Sequence, residues 1–211
     1  MDKLKLARLI AYNLLKISAI RFNFKEFFLW ASGLKSPIYC DNRLSLSDSN
    51  VRSLIRDGYV DTIRTEFPDA EVIAGVATGA IAQGALVADK LNLPFVYVRE
   101  RAKDHGLKKL VEGVIQPGQK TVIVEDLVST GGSSLKVAQE LRKVDANVLG
   151  MTAIFTYEFP EAINRFKENH CQLHTLSSFT TLMDVAFEEG YITEDDVDKL
   201  KIWHQNPQSF V

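Results

Sequence analysis

Two adjacent carboxylates, Glu125 and Asp126, stand between an apolar β-branched run, Thr121-Val122-Ile123-Val124, and a small-residue turn, Ser129-Thr130-Gly131-Gly132-Ser133, an order that suits a sugar phosphate. Neighbouring carboxylates at a strand's carboxyl end can accept hydrogen bonds from vicinal hydroxyls such as those of a ribose, and they repel phosphate. The phosphate belongs one step later. There, hydroxyls and backbone N–H groups can curl into an anion-binding nest at a helix N-terminus, and glycine lets the chain come close. Glu125, Asp126, Leu127, Val128, Ser129, Thr130, Gly131, Gly132 and Ser133 are therefore read as one site. The plain alternative is an ordinary strand-to-helix turn with a capping Ser or Thr. The paired acids weigh against it, because burying two like charges side by side is costly unless a ligand needs them. No lysine follows the glycines and no Gly-x-Gly-x-x-Gly follows a strand, which excludes the two common nucleotide loops.

A second polar stretch, Arg99-Glu100-Arg101-Ala102-Lys103-Asp104-His105-Gly106, follows the apolar run Phe95 to Val98, with Lys108 and Lys109 beyond it. It is too charged to bury. Its positive excess suits a pyrophosphate and accompanying magnesium when the loop closes, and a solvated loop tip is the alternative.

Positioning these groups calls for alternating strands and helices. The pattern predicts a helix to about Leu15, a helix from about Ser47 to Phe67 weakened at Gly58, and strands at Val72–Val76, Phe95–Val98, Thr121–Val124, Val148–Phe155 and about Leu173–Leu176. A small-residue helix follows the turn Ala77-Thr78-Gly79-Ala80, and Leu135, Ala138 and Leu141 give the helix after Ser133 its apolar spacing. Helices at Thr180–Glu189 and Thr193–Trp203 close the chain, with Gly190 as a C′ residue and Thr193 with Asp196 as a capping box. Such alternation predicts a mostly parallel sheet with right-handed crossovers.

The segment from Thr121 to Ser133 resembles the PRPP-binding motif of the type I phosphoribosyltransferases: apolar strand, two acids, small-residue loop. Ala102-Lys103-Asp104-His105-Gly106 resembles the mobile catalytic loop of the orotate phosphoribosyltransferases, and Phe27 to Arg43 resembles their N-terminal hood. Gly190 to Asp196 is also in that family's style, so the resemblance spans nearly the whole chain. It implies an α/β, type I phosphoribosyltransferase fold, with a mostly parallel central sheet flanked by helices. Residues 1–211 would form one domain, with the hood at about residues 18–43.

The implied activity joins orotate to the phosphoribosyl group of PRPP in pyrimidine synthesis. Glu125 and Asp126 would meet the ribose, the 127–133 loop the 5′-phosphate, and Thr78 and Gly79 the pyrophosphate. Lys103, Arg99 and His105, with Asp126, would form the catalytic set. Asp104 would position the loop. Mg²⁺ is the expected cofactor, held mainly through PRPP and water without direct protein ligands. The expected assembly is a homodimer with active sites shared across its interface.

The chain departs from some members in ways that bear on charge. Thr78-Gly79 stands where some have Tyr-Lys, Glu100 where some have lysine, and Ala31 where some place a lysine; Tyr157 lies near an arginine of others. Magnesium, Arg99, Arg101 and Lys103 would carry more of the neutralisation, and Lys35, Thr130 and Tyr39 are the residues expected at orotate. Mere packing remains open for the Thr78-Gly79 turn.

Composition agrees with a soluble cytoplasmic enzyme. Twenty-five basic and 27 acidic residues in 211 give no basic excess, against a general nucleic-acid binder, and no apolar run approaches the roughly 20 residues that span a bilayer. Cys40 and Cys171 have neither metal-ligand spacing nor disulfide density and are expected as free thiols; His170, His174 and His204 are expected to be structural or superficial. Two other readings stay open at this point: a phosphoribosyltransferase for a purine or related base, and a non-enzymatic regulator that keeps the fold.

Overall fold

The computed structural model describes residues 2–30, 33–99 and 110–209. Helix α1 (Lys3–Lys16), capped by Asp2, buries Ile10, Ala11, Leu14 and Leu15. Four short strands follow, β1 (Ile20–Phe22), β2 (Phe28–Leu29), β3 (Lys35–Ser36) and β4 (Ile38–Cys40), paired as two antiparallel ribbons, β1 with β4 and β2 with β3. A 3-10 turn, Asn42–Ser47, leads into α2 (Ser49–Glu66), which runs unbroken through Gly58 and is capped by Asp48. The start of α2 falls later than the sequence predicts because Asp48 accepts hydrogen bonds from the N–H groups of Asn50 and Val51, which fixes the boundary.

The main sheet is built from β5 (Val72–Val76), β6 (Phe95–Val98), β7 (Val111–Glu112), β8 (Lys120–Val128), β9 (Asn147–Thr156) and β10 (Gln172–Ser178). Its order is β10-β9-β8-β5-β6-β7, parallel throughout except for β7, which pairs antiparallel with β6. Crossovers are supplied by α3 (Ile81–Leu91), α4 (Gly132–Lys143) and α5 (Pro160–Glu168), and α6 (Phe179–Glu188) and α7 (Glu194–Gln205) finish the chain. The expected α/β architecture with a mostly parallel sheet is the one observed. Successive strands depart to opposite sides between β5 and β8, and ligands bind outside the carboxyl ends of strands at such a switch point.

Three further features, in the main sheet and its crossovers, depart from the sequence prediction. Strand β8 does not stop at Val124: its ladder with the long β9 continues through Glu125↔Ala153 to Val128↔Thr156, so pairing overrides the poor strand propensity of Glu and Asp. Sequence reasoning places no element between Phe155 and Leu173, where α5 forms with Pro160 in its first turn and with Ala162 and Phe166 buried four residues apart. The edge strand β7 is two residues long and has no periodicity to read. At the C-terminal end Gly190 takes φ +74°, and both reciprocal bonds of the Thr193–Asp196 capping box form.

Candidate active site

The carboxyl ends of β5, β6 and β8 and the first turns of α4 enclose a cavity of about 610 Å³. Thr78, Gly79, Arg99, Glu125, Asp126, Leu127, Ser129 and Ser133 line it, together with Lys136 and Glu140 of α4. The structure thus draws the three sequence-distant segments read as polar site elements to one place, as far as they are described. Lys103, His105, Asp104 and Arg101 lie outside the described residues. The two residues flanking that segment are joined, the Arg99 N–H donating to the Leu110 carbonyl at 2.9 Å.

The two acids are not equivalent. Glu125 is 4% exposed, and both its oxygens are engaged: Oε1 accepts the Asp126 N–H at 2.9 Å and Oε2 accepts the Ser134 hydroxyl at 2.8 Å. Burial, and then the Asp126 charge beside it, push its carboxyl well above the usual range. Asp126 is also raised, chiefly by burial, against hydrogen bonds that favour its ionised form. It presses on the second strand end so closely that a Cβ on Gly79 would sit 2.0 Å from Asp126 Oδ2. A glycine is required there for contact, not for backbone angle. The Ala77–Thr78 peptide bond leading into this turn is cis.

Main-chain carbonyls of the same pair tie the site to its surroundings. Tyr59, fully buried on α2, donates its hydroxyl to the Glu125 carbonyl, and Asn42 Nδ2 donates to the Asp126 carbonyl at 2.7 Å. Beyond Val128, Gly131 takes φ +77° as the N-cap of α4, and no side chain caps the helix. That removes the ordinary capped turn as an account of this segment. A left-handed residue ahead of uncapped N–H groups is the backbone form of an anion nest, with the hydroxyls of Ser129 and Ser133 beside it.

A smaller cavity of about 320 Å³ adjoins the first and shares Leu127 and Ser129 with it. Leu29, Trp30, Tyr39, Cys40 and Tyr157 complete its wall. Trp30 packs on Tyr157 with ring centroids 4.8 Å apart, and donates its indole N–H to the Ile38 carbonyl at 3.2 Å. Arg21 lies over Tyr39, 5.3 Å from the ring centroid. Cys40 and Cys171 are both free, and burial, with the charges of Asp126 and Asp41 behind it, holds the Cys40 thiol protonated. Of the residues expected at orotate, Tyr39 is here, whereas Lys35 and Thr130 line a different cavity of about 620 Å³ with Phe159 and His204. His204 is stacked on Phe179, centroids 4.4 Å apart, as a packing residue; His174 instead faces Glu66 at 3.9 Å.

The phosphoribosyl transferase domain family matches residues 47–171. Orotate phosphoribosyltransferase of Cytophaga hutchinsonii is 52% identical over 198 residues, covering 94% of this chain and 95% of the relative, and that of Porphyromonas gingivalis is 49% identical over 205 residues, covering 97% and 98%. The chain belongs to the orotate phosphoribosyltransferase family. Among solved structures, orotate phosphoribosyltransferase from Aeropyrum pernix superposes with a TM-score of 0.75 at 26% identity, over 87% of this chain and 99% of that one. Leishmania donovani UMP synthase shares the fold, with a TM-score of 0.80 at 21% identity; 94% of this chain is covered and 42% of that longer one.

Tyr157 and Lys136 are among the residues of this orotate phosphoribosyltransferase family member that line the cavities without being singled out as ligand contacts from sequence. Tyr157 lies just past the end of β9 and was legible only as a departure from an arginine. Lys136 had a readable signal, since it falls three residues after Ser133 on the same face of α4.

Proposed function

We propose that the protein transfers the 5-phosphoribosyl group of PRPP to N1 of orotate, giving orotidine 5′-phosphate and pyrophosphate. The observation that carries this reading is the single cavity in which Asp126, the uncapped α4 turn and the Thr78–Gly79 turn face one another beside an aromatic pocket. The ribose hydroxyls donate to Asp126, with Glu125 behind it as its support. The 5′-phosphate sits on the turn from Leu127 through Val128 and Thr130 to Ser133. Pyrophosphate meets Thr78, Gly79 and Arg99, with Lys103 and His105 closing from the loop. The flat base enters the smaller cavity against Tyr39, Trp30 and Tyr157.

As the bond from C1 to pyrophosphate breaks, its electron pair leaves with the pyrophosphate and N1 of orotate takes its place. The transition state carries cationic character on the ribose and growing negative charge on the leaving group. Nothing covalent is required of the chain, whose residues hold the two reactants in line, exclude water and present positive charge to pyrophosphate. No group of three metal-ligating side chains occurs among the described residues, and the donor set at hand, one accessible carboxylate facing a phosphate-rich substrate, suits a cation that keeps its waters. Mg²⁺ bound with PRPP would neutralise the pyrophosphate oxygens. The protein acts as a homodimer, each loop serving its neighbour's site, in the cytoplasm. No described helix is long and apolar enough to cross a membrane.

The test mixes purified protein, PRPP and Mg²⁺ with orotate and follows the fall in orotate's near-ultraviolet absorbance, with adenine, guanine, xanthine and uracil run in parallel by product chromatography. Consumption of orotate alone, abolished by a chelator, is the expected result. Turnover of another base would discard the orotate half of the reading, and turnover of none would favour a regulator.

A further inference from the structure

We propose that Lys136 is a binding residue for the 5′-phosphate, a role that rests on the phosphoribosyl-transfer reading above. Ser133, Lys136, Val137 and Glu140, spaced as one helical face, form the α4 wall of the larger cavity. Lys136 lies four residues past the start of α4, about 6 Å along the axis. Helical side chains lean toward the N-terminus, so its four-carbon stem is long enough to bring the ammonium back toward the uncapped turn, whose Ser129 and Ser133 line the same cavity.

Charge points the same way. The described lining residues hold two cations, Arg99 and Lys136, against the carboxyls of Glu125, Asp126 and Glu140. Arg99 faces Glu112 at 3.5 Å. The natural helical partner of Lys136 is Glu140, four residues on, but Glu140 is bonded to Lys143 at 2.6 Å. Lys136 has no ion pair among the described residues. It is exposed, packs in no core and has no evident structural task. A phosphate on the nest receives dipoles and hydroxyl donors from the turn, and the lysine adds the full charge that those neutral groups lack.

The experiment uses the reaction in both directions, because orotidine 5′-phosphate carries the 5′-phosphate and pyrophosphate does not. For Lys136→Ala, KM for PRPP and for orotidine 5′-phosphate is expected to rise about tenfold, with KM for pyrophosphate and orotate and kcat held within about twofold. Lys136→Arg should recover most of the loss, and added salt should shrink the difference. Calorimetric binding of ribose 5-phosphate should weaken in parallel, a readout independent of the base. A rise in KM for pyrophosphate without one for orotidine 5′-phosphate would overturn the assignment in favour of a leaving-group contact. Unchanged constants together with unchanged ribose 5-phosphate binding would leave Lys136 a solvated lysine. Should the wild type fail to turn over orotate, the transfer reading falls, while the ribose 5-phosphate comparison still decides Lys136.

Discussion

The phosphate half and the base half of the site are built in opposite ways. The first rests on the carboxyl edge of the main sheet, where one continuous segment from β8 into α4 supplies acids, hydroxyls and N–H groups. The second is assembled from the β2–β3 and β1–β4 ribbons, the end of β9 and the support of α7, whose fully buried Trp203 donates its indole N–H to the Lys35 carbonyl at 3.1 Å. They meet at Leu127 and Ser129, which line both cavities. The half proposed for the ligand common to every such reaction is built mainly of main chain and short polar groups on the sheet edge. The pocket proposed for the base is instead lined by side chains drawn together from afar. Damage to the first half should therefore depress turnover with any base, and damage to the second should alter the base alone.

The sharpest way to break the phosphate half is Gly79→Ala. Its Cβ would meet Asp126 Oδ2 at 2.0 Å and Oδ1 at 2.9 Å, so either the carboxylate or the turn must move. Both walls of the cavity are disturbed at once, and turnover should fall by at least the roughly 10³-fold upper figure for losing one preorganised donor. Steady-state rates alongside circular dichroism check this; a folded variant with near-normal turnover would free Asp126 from the constraint. Lys103→Ala comes next, with an unchanged fold and a loss of roughly 10² to 10³ in kcat. Near-normal turnover would remove Lys103 from the mechanism.

Tyr157→Phe sharpens the comparison from the base side. The ring is 1% exposed and touches Trp30, Phe159 and Trp203, so phenylalanine keeps the packing, while the hydroxyl makes no hydrogen bond among the described residues. Losing one neutral hydrogen bond to the base should raise KM for orotate about fivefold and leave KM for PRPP unchanged. Equal changes in both would mean that the halves are not separable in this way.

That division also explains what could be read from the chain. The β8–α4 segment is local, so its strand, turn and helix follow from adjacent residues, as do the Gly190 stop and the Thr193–Asp196 cap. The contact of Gly79 with Asp126 joins residues 47 apart in sequence, and a bare Thr-Gly in a turn gives no sign of it. The extension of β8 through two acids depends on the ladder with β9, which local propensity opposes. Lys35 and Thr130, expected at orotate with Tyr39, line another cavity; for Lys35, a two-residue strand such as β3 has too little pattern to fix which way its side chains point.

The smallest expected effect concerns the acids with no ligand present. Glu125 is raised by burial and by Asp126, so the folded chain binds its proton more tightly than the unfolded chain does. Its stabilising contribution is complete below the unfolded value near 4.3 and is lost as pH rises through the folded one, with a slope of at most about 1.4 kcal/mol per pH unit for one proton. Asp41, lowered chiefly by its hydrogen bond from Arg43, works in the opposite sense, losing stability as pH falls through its folded value. Comparing the wild type with Glu125→Gln cancels that background. Glutamine is neutral at every pH, and its oxygen can accept the Asp126 N–H while its amide nitrogen donates to the Ser134 hydroxyl. Melting temperatures measured in metal-free buffer from pH 5 to 8 should fall more steeply for the wild type, leaving the variant the more stable of the two at pH 8. Parallel curves would mean that Glu125 is ionised in the folded chain at no cost, and that the site holds both negative charges ready before any ribose arrives.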